Sequence, residues 1–217
     1  MKIYSLQIII TLCLLLSNSL CSVSLWGQSL GDYLARYEIG FGAERTISEE
    51  FSLFNGERVP NRVVKTVAYA GSFSIGIHIP LLTFGDQFGV GINPDIQLAI
   101  GSAPYDPDFP EEIDHLDASS GFLRLTFPTL LSLKYGTDAT MDPDTDMGFG
   151  LGLGYRPTFN LPLGYSYGEP IAMGEFSFIA GPTLVKARIT LPLAVGSPVD
   201  EVDLKTYDFS LYFLPGR

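Results

Sequence analysis

From residue 34 onward the apolar positions of the chain alternate with small or polar ones at a period of two. Residues 148–155 read Gly-Phe-Gly-Leu-Gly-Leu-Gly-Tyr, which puts Phe149, Leu151, Leu153 and Tyr155 on one face and bare backbone on the other. A strand surface facing water would carry Lys, Glu and Thr. A face reduced to hydrogen instead predicts the crowded interior of a narrow barrel whose apolar side meets lipid. The same pattern recurs along the chain. A first strand over 34–44 sets Tyr37, Ile39, Phe41 and Ala43 against Arg36, Glu38, Gly40, Gly42 and Glu44, and a polar loop is expected near 46–61. A second strand over about 65–79 sets Val67, Tyr69, Phe73, Ile75, Ile77 and Ile79 against Ala70, Ser72, Ser74, Gly76 and His78, with Pro80 as its expected end. A third places Phe88, Val90, Ile92, Ile96, Leu98 and Ile100 on its apolar face, where Pro94 predicts a bulge or a locally broken ladder.

Residues 102–120 hold three prolines and six acids and predict a long exposed loop. Strand four follows over 121–135 and strand five over 147–159, with a parity that persists through Leu161, Leu163, Tyr165 and Tyr167, so that it projects outward or turns back. Within 174–193 the apolar parity flips near Gly181-Pro182. The flip marks either a hairpin, giving eight strands, or a bulge, giving seven. A last strand, 206–213, points Tyr207, Phe209, Leu211 and Phe213 one way and Asp208, Ser210 and Tyr212 the other. An up-and-down bacterial barrel with both ends on the periplasmic side needs an even number. The expectation is therefore an all-β, eight-stranded antiparallel up-and-down transmembrane β-barrel, with polar segments 46–63, 102–120, 160–173 and 194–203 as long outer loops. A lipocalin-like barrel would carry the same alternation with the oily face turned inward, around a ligand.

Composition narrows the setting. Lys2, the apolar run 8–16 and the Ser-rich stretch after it read as an export signal, cut after Ser24 or Gly27; the partition adopted is a signal over 1–27 and one barrel domain over 28–217. Cys21 could carry lipid, but Leu20 stands where a small residue is expected. Both cysteines, Cys13 and Cys21, fall inside the signal, so no disulfide staples the domain. Removing 1–27 takes away Lys2 and no acid, so the net charge goes from −11 to −12. That balance excludes nucleic acid as a natural partner. The acids cluster in segments between strands: Asp106, Asp108, Glu111, Glu112, Asp114 and Asp117 in one, Asp138, Asp142, Asp144 and Asp146 in another.

The run from Phe122 through Pro128-Thr-Leu-Leu-Ser-Leu-Lys-Tyr135, the glycine-alternating 147–155, and Ala180-Gly181-Pro182 resemble the outer-membrane β-barrel family of the PorT-like kind, found in Gram-negative bacteria. The likeness extends from about Leu30 to the C-terminus, and it implies an outer-membrane location and barrel architecture more than any activity. One departure is the tail: such barrels commonly finish on an aromatic residue, whereas this chain continues past Phe213 through Leu214-Pro-Gly-Arg217.

The charged residues with inward parity are Arg36, Glu38, Asp95, Arg124, Lys134, Arg156, Lys186, Arg188 and Asp208. They suit a polar conduit or a salt-bridge network, and an eight-stranded lumen, about wide enough for side chains alone, favours the network. Ser72, Ser74 and His78 share the inward face, but residues four apart on one strand lie about 13 Å apart, too far for a nucleophile and its base. No catalytic residue is expected, and His115 reads as a solvated loop histidine. Asp142, Asp144 and Asp146 have the opening spacing of a calcium loop, yet Met147 replaces its glycine and Leu153 its closing glutamate, so a solvated turn is the expectation. The glycines at 148, 150, 152 and 154 lack the dinucleotide spacing. No cofactor and no metal are expected. The expected partners are outer-membrane lipid and a protein contacting the outer loops, the barrel being a monomer with a structural, adhesive or secretion-accessory role. A lipid-modifying enzyme and a narrow pore are the alternatives.

Overall fold

The computed structural model describes residues 37–54, 57–102, 121–139, 145–161, 165–199 and 202–215. The signal 1–27, Arg36, the acidic segment with His115, and Asp142 and Asp144 lie outside the described residues. The strands are β1 (Tyr37–Phe54), β2 (Glu57–Ile77), β3 (Ile79–Phe84), β4 (Phe88–Ser102), β5 (Gly121–Thr126), β6 (Thr129–Gly136), β7 (Met147–Asn160), β8 (Tyr165–Ala180), β9 (Thr183–Pro192), β10 (Gly196–Val199) and β11 (Val202–Pro215).

Every pairing is antiparallel, and β1 pairs both β2 and β11, so the sheet closes on itself. Three wall strands are broken into halves. β2 and β3 both lie on β4, β5 and β6 both bridge β4 to β7, and β10 continues β9 along β11. The ring thus has eight members. The parity flip is a hairpin: Ala180 pairs with Thr183 across Gly181-Pro182, with Gly181 at φ 62°. A tight turn between right-twisted strands needs such a positive φ, which glycine takes without steric cost.

Pro94 stays within β4, and the ladder breaks on both sides of it. His78 separates β2 from β3, and Phe127-Pro128 separates β5 from β6, with the Asp95 amide bonding the Pro128 carbonyl at 2.9 Å.

Four expectations need correction. The segment 46–61 is not a loop: β1 and β2 run through it, paired from Thr46↔Ala68 to Phe54↔Glu57. Backbone pairing needs no apolar face where both sides of a ladder meet water, so polarity alone misreads a strand that projects beyond the bilayer. Pro80 does not end the second strand; it sits inside β3 at a register shift, which relieves its missing N–H. The segment 160–173 is mostly strand, with Asn160 at the end of β7 paired to Tyr165 at the start of β8, and 194–203 is largely the β10–β11 hairpin. In β8 the outward residues are Ser166, Gly168, Pro170 and Ala172 while Ile171 and Met173 are buried, so the polarity contrast that marks a strand is inverted there.

The oily faces point outward. Among the described residues the exposed large hydrophobics include Leu151 at 69% and Ile100 at 64%, whereas the buried set is mostly polar and holds Arg124, Lys134, Arg156, Lys186 and Arg188. Monomers in water rarely expose a continuous apolar patch beyond a few hundred Å². A closed barrel with a polar interior and an encircling apolar belt is instead the transmembrane solution, so the chain is an outer-membrane-type β-barrel placed in the cell outer membrane. The lipocalin-like alternative fails because its oily face would have to line the centre.

Candidate functional site in the barrel lumen

Neighbouring strands supply the inward side chains, and the register decides which of them meet. Lys134 on β6, Gly150 on β7 and Glu175 on β8 lie in one row. A Cβ on Gly150 would stand 3.4 Å from Glu175 Cβ and 3.5 Å from Lys134 Cγ. Glycine between them lets the ammonium and carboxylate meet at 2.9 Å. Gly40 does the same between Tyr212 and Ser74, its partners in register; a Cβ there would stand 2.8 Å from the Tyr212 ring. The alternating glycines are therefore the space through which long polar side chains cross the lumen.

At the end carrying the short turns these side chains form one connected cluster. Arg188 donates from Nη1 to Asp95 Oδ2 at 2.6 Å, from Nε and Nη2 to Glu175 Oε2 at 2.9 and 2.8 Å, and from Nη2 to Glu38 Oε2 at 3.2 Å. Its guanidinium lies 4.2 Å over the Tyr212 ring, and the Tyr212 hydroxyl donates to Asp95 at 3.1 Å. Lys186 bonds Glu38 and, at 2.7 Å, Asp138. Lys134 also bonds Asp138. The connection after β6 tucks Thr137, Asp138 and Ala139 into the barrel end, all buried. Burial opposes ionisation of Asp138, but the Lys134 and Lys186 ammonium groups prevail and hold its carboxyl well below the usual carboxylate range.

The loop end is built differently. Arg156 and Glu169 face each other in register and pair at 2.6 Å, and Arg156 also donates to the Thr206 carbonyl. Arg124 crosses the lumen to Glu44 at 3.2 Å and Thr46 Oγ1 at 2.7 Å. Gln97 donates to Asp208 at 2.9 Å. Glu44 Oε1, Arg124 Nε and Thr158 Oγ1 are buried with no hydrogen-bond partner. Between the two ionic levels lies a small apolar cluster of Leu130, Ile171 and Met173.

Of the inward charges expected from parity, eight lie within the described residues and all eight are buried. Asp138, Glu169 and Glu175 complete their pairs and were not expected as members, whereas Glu44 was already on the polar face of the first strand. Glu175 was within reach of counting, since a hairpin at 181–182 fixes Glu175 opposite Arg188. Ser74 and His78 are both inside, where Ser74 bonds Tyr212 and His78 Nδ1 lies 3.3 Å from Asn93 Oδ1. Asp146 is exposed, and among the described residues no group of three His, Cys, Asp or Glu is placed to hold a metal.

No family model matches the chain, and no curated protein matches it in sequence. Among solved structures, Ail, the attachment invasion locus protein of Yersinia pestis, in complex with the heparin analogue sucrose octasulfate, is 11% identical with a TM-score of 0.33, over 82% of this chain and 96% of that one. A second structure of Ail is 13% identical with a TM-score of 0.29 over the same shares. Neisserial surface protein A (NspA) is 8% identical with a TM-score of 0.37, over 81% of this chain and 95% of that one. Overlaps this loose transfer no property, and the architecture rests on the strand register itself.

Proposed function

We propose that this protein is an exported, monomeric outer-membrane barrel with a sealed lumen and a structural, adhesive or secretion-accessory role, exerted through its outer surface. Residues 1–27 serve as the export signal, and the acidic segment between β4 and β5 contacts a protein partner. The observation that carries the reading is the ionic network. Five cations buried in the lumen are each bonded to a carboxylate, so side chains occupy the space a conduit would need. The PorT-like resemblance of 122–135, 147–155 and 180–182 agrees with an accessory role. Enzymatic work on lipid would require a nucleophile open to acyl chains, whereas Ser74 and His78 are both buried.

Planar bilayers containing the purified barrel test this. No conductance steps are expected, and a steady single-channel conductance would replace the sealed barrel with a narrow pore. An altered surface-lipid profile in a His78→Ala strain would instead favour the enzyme.

A further inference from the structure

Seven Lys or Arg residues have described side-chain environments, and they divide sharply. Arg124, Lys134, Arg156, Lys186 and Arg188 are buried in the lumen, while Arg45 and Lys205 are exposed. Those two lie together on the outer wall. Arg45 on β1 stands in register with Tyr69 on β2 and with Tyr207 on β11, and Ile47, two residues on, stands opposite Lys205. Arg45 and Lys205 are thus diagonal neighbours on adjacent strands, about 7–8 Å apart at their backbones, within joint reach of one small anion.

Their height on the barrel is fixed by the same register. Below Arg45 on the outward face of β1 come Ala43, Phe41, Ile39 and Tyr37, and below Lys205 on β11 come Tyr207, Phe209, Leu211 and Phe213. Eight residues of strand span about 27 Å, or about 20 Å along a barrel axis at a tilt of ~40°, close to the full height of an apolar band. The two cations therefore sit where that band ends, on the side of the long connections, which is the outer leaflet. Tyr69 and Tyr207 belong to the aromatic level found at such a boundary. Neither cation has an ion-pair partner among the described residues, although Glu49 stands one outward position beyond Ile47 on β1, opposite Lys65. In a chain of net charge −11, two exposed cations side by side at the lipid surface are not the solvated background of a basic protein.

We propose that Arg45 and Lys205, flanked by Tyr69 and Tyr207, form a binding site for the phosphate of an anionic lipid in the outer leaflet. The guanidinium supplies a fork of donors to the phosphate oxygens, the ammonium a second point charge, and the apolar belt immediately below receives the acyl chains. The inference builds on the transmembrane placement of the barrel and is independent of whether the lumen conducts.

Native mass spectrometry of the purified barrel, released from detergent with graded amounts of phosphatidic acid, tests it. Parallel arms use phosphatidylcholine and inorganic phosphate. The wild-type chain should retain phosphatidic acid in preference to phosphatidylcholine, and Arg45→Ala/Lys205→Ala should weaken that retention about tenfold or more, given the per-cation attraction near an anionic surface. Lys205→Arg should retain it. Both variants must keep heat-modifiable mobility on gels, the sign of an intact barrel. Equal retention by the double-alanine variant, or no preference over phosphatidylcholine, overturns the site; displacement of the lipid by millimolar inorganic phosphate overturns the assignment to lipid.

Discussion

The two ends of the lumen bury similar chemistry with different connectivity. At the turn end, three cations and four carboxylates interlock through Arg188, Lys186 and Lys134, and a segment of chain carrying Asp138 folds in to close the cluster. The loop end holds two ion pairs that share no carboxylate, Arg124 with Glu44 and Arg156 with Glu169, and both ends leave buried polar atoms without a hydrogen-bond partner, Glu44 Oε1, Arg124 Nε and Thr158 Oγ1 at the loops and Asp95 Oδ1 in the cluster. Burying a charge is costly unless its partner and hydrogen bonds are complete. The contrast is therefore one of connectivity: a single interlocked cluster at the turn end and ion pairs that share no carboxylate at the loop end.

The strongest way to break this comparison is to remove its hub. Arg188→Ala leaves Glu38, Asp95 and Glu175 short of a partner, and urea unfolding in detergent should register a loss of about 3–5 kcal/mol. Gly150→Val is expected to cost about 1–3 kcal/mol in the same assay, because its side chain forces Lys134 and Glu175 apart. Arg124→Ala, at the loop end, should cost about 1–2 kcal/mol, less than Arg188→Ala, since Arg124 makes fewer bonds. Equal losses for the two arginines would erase the distinction between the ends. Thr158→Val removes a hydroxyl that bonds nothing and should change stability by less than about 0.5 kcal/mol. The pH response sharpens the picture at its finest level. Because the Asp138 carboxyl is held below its ordinary 3.8, the stability difference between wild type and Asp138→Asn should stay constant from neutrality down to that value and shrink only in stronger acid.

Most of the wall was legible in the sequence, since alternation at a period of two is written in side chains wherever one face meets lipid and the other the lumen. It failed where that contrast disappears. Past Arg45 the β1–β2 ladder leaves the apolar band, and its polar residues look like a loop although the backbone remains paired to Phe54↔Glu57. In β8 the inward face carries Ile171 and Met173 and the outward face Gly168 and Pro170, reversing the code. The lumen was half legible: parity assigns Lys134, Lys186 and Arg188 to the interior, but finding their acids takes register. Glu175 follows from the hairpin at Gly181; Glu169 requires knowing that Asn160 pairs with Tyr165. Asp138 carries no such signal, because a connection that folds inward obeys no strand period.

The claim beneath all of this is that the oily face of each strand touches acyl chains. With both native cysteines confined to residues 1–27, single cysteines can be placed at Leu131, Leu133, Phe149, Leu151 and Leu153 and labelled with a nitroxide in lipid vesicles. Collision rates with oxygen and with a water-soluble nickel complex then report what each position meets. High oxygen and low nickel accessibility at all five sites is the predicted result; high nickel accessibility along that face would contradict the account.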